Sequence, residues 1–308
     1  MQQRRLGGSD LFVSAVGLGG NNFGGRMDLA ATRSVVHAAL DRGITLIDTA
    51  DAYNAGASEE YLGEVLGARR KDVVLATKFG MALGERGKIV AATCSYITQA
   101  VEASLKRLRT DWIDLYQVHR PDPGTPIEET LRALDDLLRQ GKVRHIGCSN
   151  FSAEQLEEAQ DAAKHNGLTA FICCQDQYSL MRREIERDLI PEMEARALSL
   201  LPYFPLASGL LTGKYRRGTM PGHGRLTYSK QHADRFVSER NWKILDALDA
   251  FCARRGRTLL ELAFGWLLAK PVVGSVIAGA STPEQVEQNI RAATAQLSPE
   301  DLDLDQIT

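Results

Sequence analysis

The sequence predicts an α/β chain folded as a (β/α)8 barrel, and three observations carry that expectation. Short apolar runs alternate with polar-capped amphipathic segments along the chain. Such alternation means parallel strands, because parallel neighbours need a long crossover, usually a helix. Eight of these units can be counted in 308 residues, against about 250 residues for a typical barrel of this type. Finally, a polar or aromatic residue ends nearly every strand, where barrels of this kind build their active sites. A doubly wound open sheet is the structural rival. Against it, Gly17-Leu18-Gly19-Gly20 does not complete the G-x-G-x-x-G turn that would open its first helix.

Taken in order, Gly7-Gly8-Ser9-Asp10 reads as a β-hairpin turn able to plug the bottom of the barrel, and the first strand lies near residues 15–18. Asp28 is placed to cap a helix carrying Leu29, Thr32, Val36 and Leu40, which Gly43 closes before the second strand, 44–47. The third strand is 73–76, Ile97, Val101, Leu105 and Leu108 mark the next helix, and 112–118 is the fourth strand. Thr125-Pro126-Ile127-Glu128 reads as a capping threonine, a proline at the first helical position and a glutamate reaching back. Thr258-Leu259-Leu260-Glu261 repeats that box, and Ser152-Ala153-Glu154-Gln155 and Thr282-Pro283-Glu284-Gln285 are close variants. The remaining strands are 143–148, 170–174, 199–203 and 274–277. Residues 212–231, rich in Gly, Pro and basic side chains, form the longest stretch without periodicity. Such loops are usually functional or disordered. No linker and no second composition regime interrupts the chain, so one domain over 1–308 is expected.

Composition narrows the function. Hydrophobic residues make up 44% and charged residues 25%, which is globular rather than disordered. Thirty-seven basic against 39 acidic side chains leave a net charge of −2, without the basic excess of a nucleic-acid binder. No apolar run approaches the roughly 18 residues of a membrane span, and Met1-Gln2-Gln3-Arg4-Arg5 lacks the apolar core of a signal peptide. Five cysteines, an odd number without metal-ligand spacing, fit free thiols in a reducing compartment. The expectation is a cytoplasmic protein acting on a small molecule, with neither nucleic acid nor membrane as partner.

The strand ends then supply candidates. Asp48 ends the second strand, with Tyr53 in the loop beyond it; Lys78 ends the third and His119 the fourth. Ser149-Asn150, Gln175, Tyr203 and Gly279-Ala280-Ser281 follow from the fifth to the eighth. Taken singly, each has an ordinary reading. Asp48 and Asp51 could be turn or capping residues, Tyr53 a packed aromatic, Lys78 a surface charge and His119 a structural histidine. His37, His145, His165, His223 and His232 have no comparable company, and Cys173-Cys174 reads as small core filling. The joint placement favours chemistry for the other group.

At this point the chain resembles a known family. Asp48-Thr49-Ala50-Asp51-Ala52-Tyr53 with Ser58-Glu59-Glu60 is similar to the signature of the aldo-keto reductases. Leu105-Lys106-Arg107-Leu108 through Asp111-Trp112-Ile113-Asp114-Leu115-Tyr116-Gln117-Val118-His119 resembles their second signature, and Gly147-Cys148-Ser149-Asn150-Phe151 and Ile277-Ala278-Gly279-Ala280-Ser281 two more. The pattern is nearest to the potassium-channel β-subunit-like reductases, which share Gly213-Lys214-Tyr215. The resemblance implies a TIM barrel whose long loop after the seventh strand covers a cofactor. It also implies a catalytic tetrad of Asp48, Tyr53, Lys78 and His119. Carbonyl reduction places negative charge on oxygen as hydride reaches carbon, so a proton donor is needed, and free tyrosine titrates only near about 10. A lysine ammonium beside the phenol favours the phenolate, Asp48 orients that lysine, and His119 can donate to the carbonyl oxygen. No metal is required.

The hydride would come from NADPH. By the resemblance, Ser149, Asn150 and Gln175 bind the carboxamide and Tyr203 stacks on the nicotinamide, with Gly20, Asn21, Asp48 and Gly279 nearby. Leu206 and Ser208 match the pyrophosphate stretch, and Gln285, Gln288 and Asn289 the adenosine end. Lys214 and Arg225 above, with Ser281 and Gln285 below, would pocket the 2′-phosphate that separates NADPH from NADH. Phe204 replaces a usual serine, Gln288 a common glutamate, Cys148 a usual serine or small residue, and Ser281 an arginine of many relatives.

Asn21, Asn22, Phe23, Tyr53, His119 and the loop after Gln231 are expected to wall an open substrate site of broad specificity. The competing reading is a nicotinamide-binding regulatory or redox-sensing subunit with little turnover. A metal-dependent barrel hydrolase fails for lack of clustered His and carboxylate ligands.

Overall fold

The computed structural model describes residues 1–81, 91–222 and 224–308; of the residues singled out above, His223 lies outside them. Strands β1 (Gln3–Arg5) and β2 (Phe12–Ser14) form an antiparallel hairpin. There follow β3 (Val16–Gly19), α1 (Leu29–Asp41), β4 (Leu46–Asp48), α2 (Ala57–Leu66), β5 (Val74–Phe79), α3 (Cys94–Leu108) and β6 (Ile113–Val118). Next come α4 (Ile127–Arg139), β7 (Val143–Ser149), α5 (Ala153–Asn166), β8 (Cys173–Gln177), α6 (Leu189–Ala195) and β9 (Ser199–Tyr203). The segment beyond β9 carries α7 (Arg225–Tyr228), α8 (Lys230–Phe236), α9 (Glu239–Arg255) and α10 (Leu259–Leu268), before β10 (Val276–Gly279), α11 (Pro283–Ala293) and α12 (Pro299–Leu302).

Strands β3 to β10 pair in parallel in the order β10-β3-β4-β5-β6-β7-β8-β9. The ring closes where Leu200 meets Val273 in a parallel bridge, with Leu200 N donating to the Val272 carbonyl at 2.7 Å and Gly274 N to that of Leu200 at 2.9 Å. The expected (β/α)8 barrel is the observed fold.

Local chemistry explains most helix starts. Asp28 accepts from Ala31 N, and Ser152/Gln155 and Thr258/Glu261 form reciprocal capping boxes. Two expectations need correction. Thr125 does not cap α4, because its hydroxyl donates to Asp122 at 2.7 Å and Pro126 takes the cap position with no side-chain bond. Thr282 caps α11, but the Gln285 side chain turns to Ser281 instead of reaching back to the cap.

Several strands also run past their expected ends. The third was expected at 73–76 and is Val74–Phe79; the sixth was expected at 170–174 and is Cys173–Gln177. Ladder hydrogen bonds depend on backbone, not polarity, so pairing such as Gln175 with Leu201 and Gln177 with Tyr203 continues into polar residues. Those polar ends are the part of each strand that faces the site.

The bottom of the barrel is plugged as expected. Leu6 and Val13 from the hairpin are fully buried in a cluster with Leu46, Ala76, Leu115, Cys173, Leu201 and Ile277, the side chains that fill the barrel. Gly7 has φ +54°, donates to Ser199 Oγ at 2.8 Å, and lies where a Cβ would come within 2.4 Å of the Ile172 carbonyl oxygen. Glycine alone suits that turn. Removing the plug side chain leaves a cavity that the closed barrel cannot collapse. Leu6→Ala should therefore cost about 2–5 kcal/mol, read from the midpoint of denaturant unfolding; an unchanged midpoint would mean the hairpin does not support the barrel.

Candidate active site

The tetrad residues meet at the C-terminal mouth of the barrel. Asp48 is the last residue of β4, and Lys78 is the penultimate residue of β5. Tyr53 opens a short 3-10 turn in which Asn54 and Ala55 take positive φ of 52° and 55°. The Lys78 side chain is wholly buried. Its ammonium donates to both Asp48 oxygens at 2.8 and 2.7 Å, to the Thr49 carbonyl at 2.8 Å and towards the Tyr53 hydroxyl at 3.4 Å. A second donor, Gln175 Nε2, reaches Asp48 Oδ1 at 2.8 Å. The His119 ring stands edge-on to Tyr53, with centroids 5.9 Å apart.

Burial governs the titration of this group. It would push the Lys78 ammonium down, but Asp48 and the Tyr53 oxygen beside it hold it above its ordinary value. Tyr53 is held above 10, chiefly by burial, with Lys78 pulling the other way and Asp48 adding to the rise. The expectation that Lys78 brings the phenol down is thus correct in the direction of its pull. In this enclosure, however, desolvation is the larger influence. His119 is pushed down to about 3 by burial, with Lys78 and Arg120 adding to the effect, so its imidazole is neutral at physiological pH. Its Nδ1 is enclosed without a hydrogen-bond partner among the described residues. Behind the tetrad, Asp51 is pushed up to about 7 by burial and by Glu59, and its Oδ1 is also unpartnered.

A cavity of about 610 Å³ opens above the tetrad. Asp48, Tyr53 and His119 line it, while Lys78 lies behind them. Every residue assigned from the sequence to the cofactor also lines it: Gly20, Asn21, Ser149, Asn150, Gln175, Tyr203, Phe204, Leu206, Ser208, Lys214, Arg225, Gly279, Ser281, Gln285, Gln288 and Asn289.

Many of these polar groups hold one another. Ser149 Oγ donates to the Gln175 carbonyl at 2.7 Å, and Asn150 Nδ2 to the His119 carbonyl at 3.0 Å and to Ser149 Oγ at 2.9 Å. Tyr203 donates to Asn150 Oδ1 at 2.8 Å. Arg225 donates to Asn22 Oδ1 at 2.7 Å and Asn21 Oδ1 at 3.1 Å, tying the loop after β9 to the loop after β3. Positive φ at Asn150, Phe204, Ala207 and Ser208 turns the backbone sharply at the mouth. Strained conformations of this kind cluster at ligand sites.

The substrate walls differ from expectation at two places. Phe23 is fully buried in the hydrophobic core and does not line the cavity, because its ring packs inward beneath the loop. The stretch around Gln231 is helix α8, and the residue it contributes is Arg235. His232, set aside in the sequence, contacts Ser208 Oγ through Nδ1 at 2.9 Å and packs against Phe204 and Phe236. Arg26 and Arg120 line the cavity as well, and only the adjacency of Arg120 to His119 could have signalled either.

The donor set suits an anion. Arg26, Arg120, Lys214, Arg225 and Arg235 all line the cavity, and none has a carboxylate within 4.0 Å among the described residues, where ion pairs are otherwise frequent. Asp48, the one acidic lining residue among the described residues, is committed to Lys78. Lys214 is half-buried, and burial with Arg26 and Arg225 pushes its ammonium down, a situation that a bound phosphate relieves.

Comparison with known proteins shows the family. Residues 15–307 match the model of the aldo/keto reductase family. An Arabidopsis thaliana protein named as a probable voltage-gated potassium channel subunit beta is 35% identical over 300 residues, covering 95% of this chain and 91% of the relative. The Bacillus subtilis aldo-keto reductase YhdN is 37% identical over 298 residues, covering 93% and 87%. A putative channel β subunit of Schizosaccharomyces pombe is 34% identical over 311 residues, covering 96% and 90%. Likeness at this level, running through the barrel strands and the loops that carry the tetrad, places the chain in the aldo/keto reductase family of oxidoreductases.

Proposed function

We propose that this protein, acting as one domain over 1–308, reduces aldehydes or ketones to alcohols at the expense of NADPH in the cytoplasm. The observation that carries the reading is the buried Lys78 ammonium, bound by Asp48 and set against the Tyr53 hydroxyl at the floor of a cation-lined cavity. A bound reduced nicotinamide would supply the hydride for the carbonyl carbon, becoming NADP⁺. The carbonyl oxygen gains the electron pair and takes its proton from Tyr53. Lys78 stabilises the phenolate left behind, and Asp48 keeps that ammonium charged and aimed. The neutral His119 imidazole fits the donor role at the carbonyl oxygen. Ser149, Asn150, Gln175 and Tyr203 would hold the nicotinamide end, with Leu206, Ser208, Gln285, Gln288 and Asn289 along the rest of the dinucleotide.

Two of the relatives described above carry a channel-subunit name, which favours a second reading: a nicotinamide-binding regulatory subunit with little turnover. The complete tetrad favours the enzyme. Turnover of an aromatic aldehyde with NADPH separates the two.

Tyr53→Phe keeps the ring but removes the proton, so kcat should fall by about 10²–10⁴-fold, with NADPH affinity by fluorescence titration retained; near-normal kcat would refute the assignment. Because Tyr53 lies above its ordinary 10, the reducing form persists through neutral pH, and kcat/KM should decline only on the alkaline side. In Lys78→Met the downward pull on the phenol is gone, so activity should fall and the alkaline decline should move higher; an unshifted pH profile would break the proposed coupling. For the cofactor, Lys214→Ala/Arg225→Ala should raise the Kd of NADPH much more than that of NADH. Equal wild-type affinity for the two, or an equal loss in the double variant, would remove the 2′-phosphate assignment.

A further inference from the structure

Ser208 lines the cavity from the 3-10 turn Ala207–Thr212, at a positive φ of 59°. The other hydroxyl of that turn, Thr212, donates to the Gly209 carbonyl at 2.6 Å, so Ser208 is the hydroxyl of this stretch that can serve a ligand. Its Oγ lies 2.9 Å from His232 Nδ1, and among the described residues this is the one side-chain hydrogen bond that either group makes. Aromatic neighbours fix the imidazole. It meets Phe204 edge-on with centroids 5.4 Å apart and lies parallel to Phe236 at 6.4 Å, while Phe204 meets Tyr203 edge-on at 5.4 Å. Burial, with Arg225 and Arg235 adding to it, holds His232 below its ordinary value, so the ring is neutral at physiological pH.

A hydroxyl has one proton, and a neutral imidazole carries one N–H on either nitrogen. If Nδ1 is bare, Ser208 gives its proton to the ring and presents only lone pairs to the cavity, which repel a phosphate oxygen. If Nδ1 is protonated, the ring donates to Oγ and the Ser208 proton is free to meet the ligand. Nε2 has no partner among the described residues, so it can release its proton to water as Nδ1 takes one up. We infer that His232 is a positioning residue for the dinucleotide, donating from Nδ1 to Ser208 Oγ and thereby aiming the Ser208 hydroxyl at a phosphate oxygen of the pyrophosphate. This rests on the dinucleotide part of the proposed function and is independent of turnover. No local motif marks His232, because the contact joins α8 to a turn 24 residues earlier.

Fluorescence titration with NADPH supplies the test. His232→Phe keeps a flat ring between Phe204 and Phe236 but cannot donate, and should raise the NADPH Kd by about 3–10-fold, as expected for one lost hydrogen bond. Ser208→Ala should weaken binding at least as much. Ser208→Ala/His232→Phe should then bind no more weakly than Ser208→Ala, because the imidazole acts only through that hydroxyl. Adenosine 2′-monophosphate, which lacks the pyrophosphate, should bind wild type and His232→Phe alike by calorimetry. In nitrogen NMR spectra of histidine-labelled protein, the signals absent from His232→Phe should show a protonated Nδ1 in the wild-type NADP⁺ complex. A wild-type NADPH Kd in His232→Phe would overturn the inference, since packing alone would then account for the ring. So would additive losses in the double variant, an equal loss of affinity for adenosine 2′-monophosphate, or a bare Nδ1 in the complex. If wild-type protein binds no NADPH, the dinucleotide reading itself falls, and the inference with it.

Discussion

The Lys78–Asp48 ion pair is the constraint on which the site depends. An ammonium wholly removed from water is tolerated only where its donors are met, and here two carboxylate oxygens and the Thr49 carbonyl meet them. Removing one partner of such a pair typically costs about 3–5 kcal/mol. The pair also joins adjacent strands, since Asp48 ends β4 and Lys78 lies near the end of β5. Stability and chemistry therefore draw on the same contact. The rest of the mouth is arranged around it: Gln175 reaches across to Asp48, and Tyr53 is brought over the ammonium by a left-handed turn.

The barrel makes this possible by separating two tasks along each strand. At the bottom, the hairpin side chains Leu6 and Val13 join the apolar filling of the barrel and seal it from water. At the top, the same strands end in polar residues whose side chains converge because the strands are parallel and closed in a ring. The apolar lower half is rigid enough to hold the polar upper half in place. That is why a buried ion pair and a neutral buried histidine can persist within one small region.

Charge is distributed with the same economy. Most cations elsewhere on the surface face a carboxylate, as Arg217 does with Glu239 and Asp246. The cavity instead collects arginines and a lysine whose neighbours are amides and rings: Arg225 on Asn21 and Asn22, Arg235 on Gln177 and Phe236, and Arg26 over Tyr228 at 3.8 Å. These neutral partners fix position without neutralising the field, so the positive potential stays available to an anionic ligand.

The amino-acid order by itself determined the alternation of strands and helices, the capping boxes at Ser152 and Thr258, the hairpin turn at Gly7 and the tetrad at the strand ends. Each is legible because it rests on spacing of a few residues. The limits of the strands were less legible, since apolar runs stop short of the polar ends at Lys78 and Gln175 that the ladder still includes. Tertiary structure alone decided the remainder. It buried Phe23 rather than leaving it to face substrate, turned Thr125 towards Asp122, folded 230–236 into a helix that presents Arg235, and set His232 against Ser208. It also decided that burial outweighs Lys78 at the Tyr53 phenol. The reason is physical: local pattern specifies which groups are present, while desolvation and contact partners exist only once segments distant in the chain have been brought together.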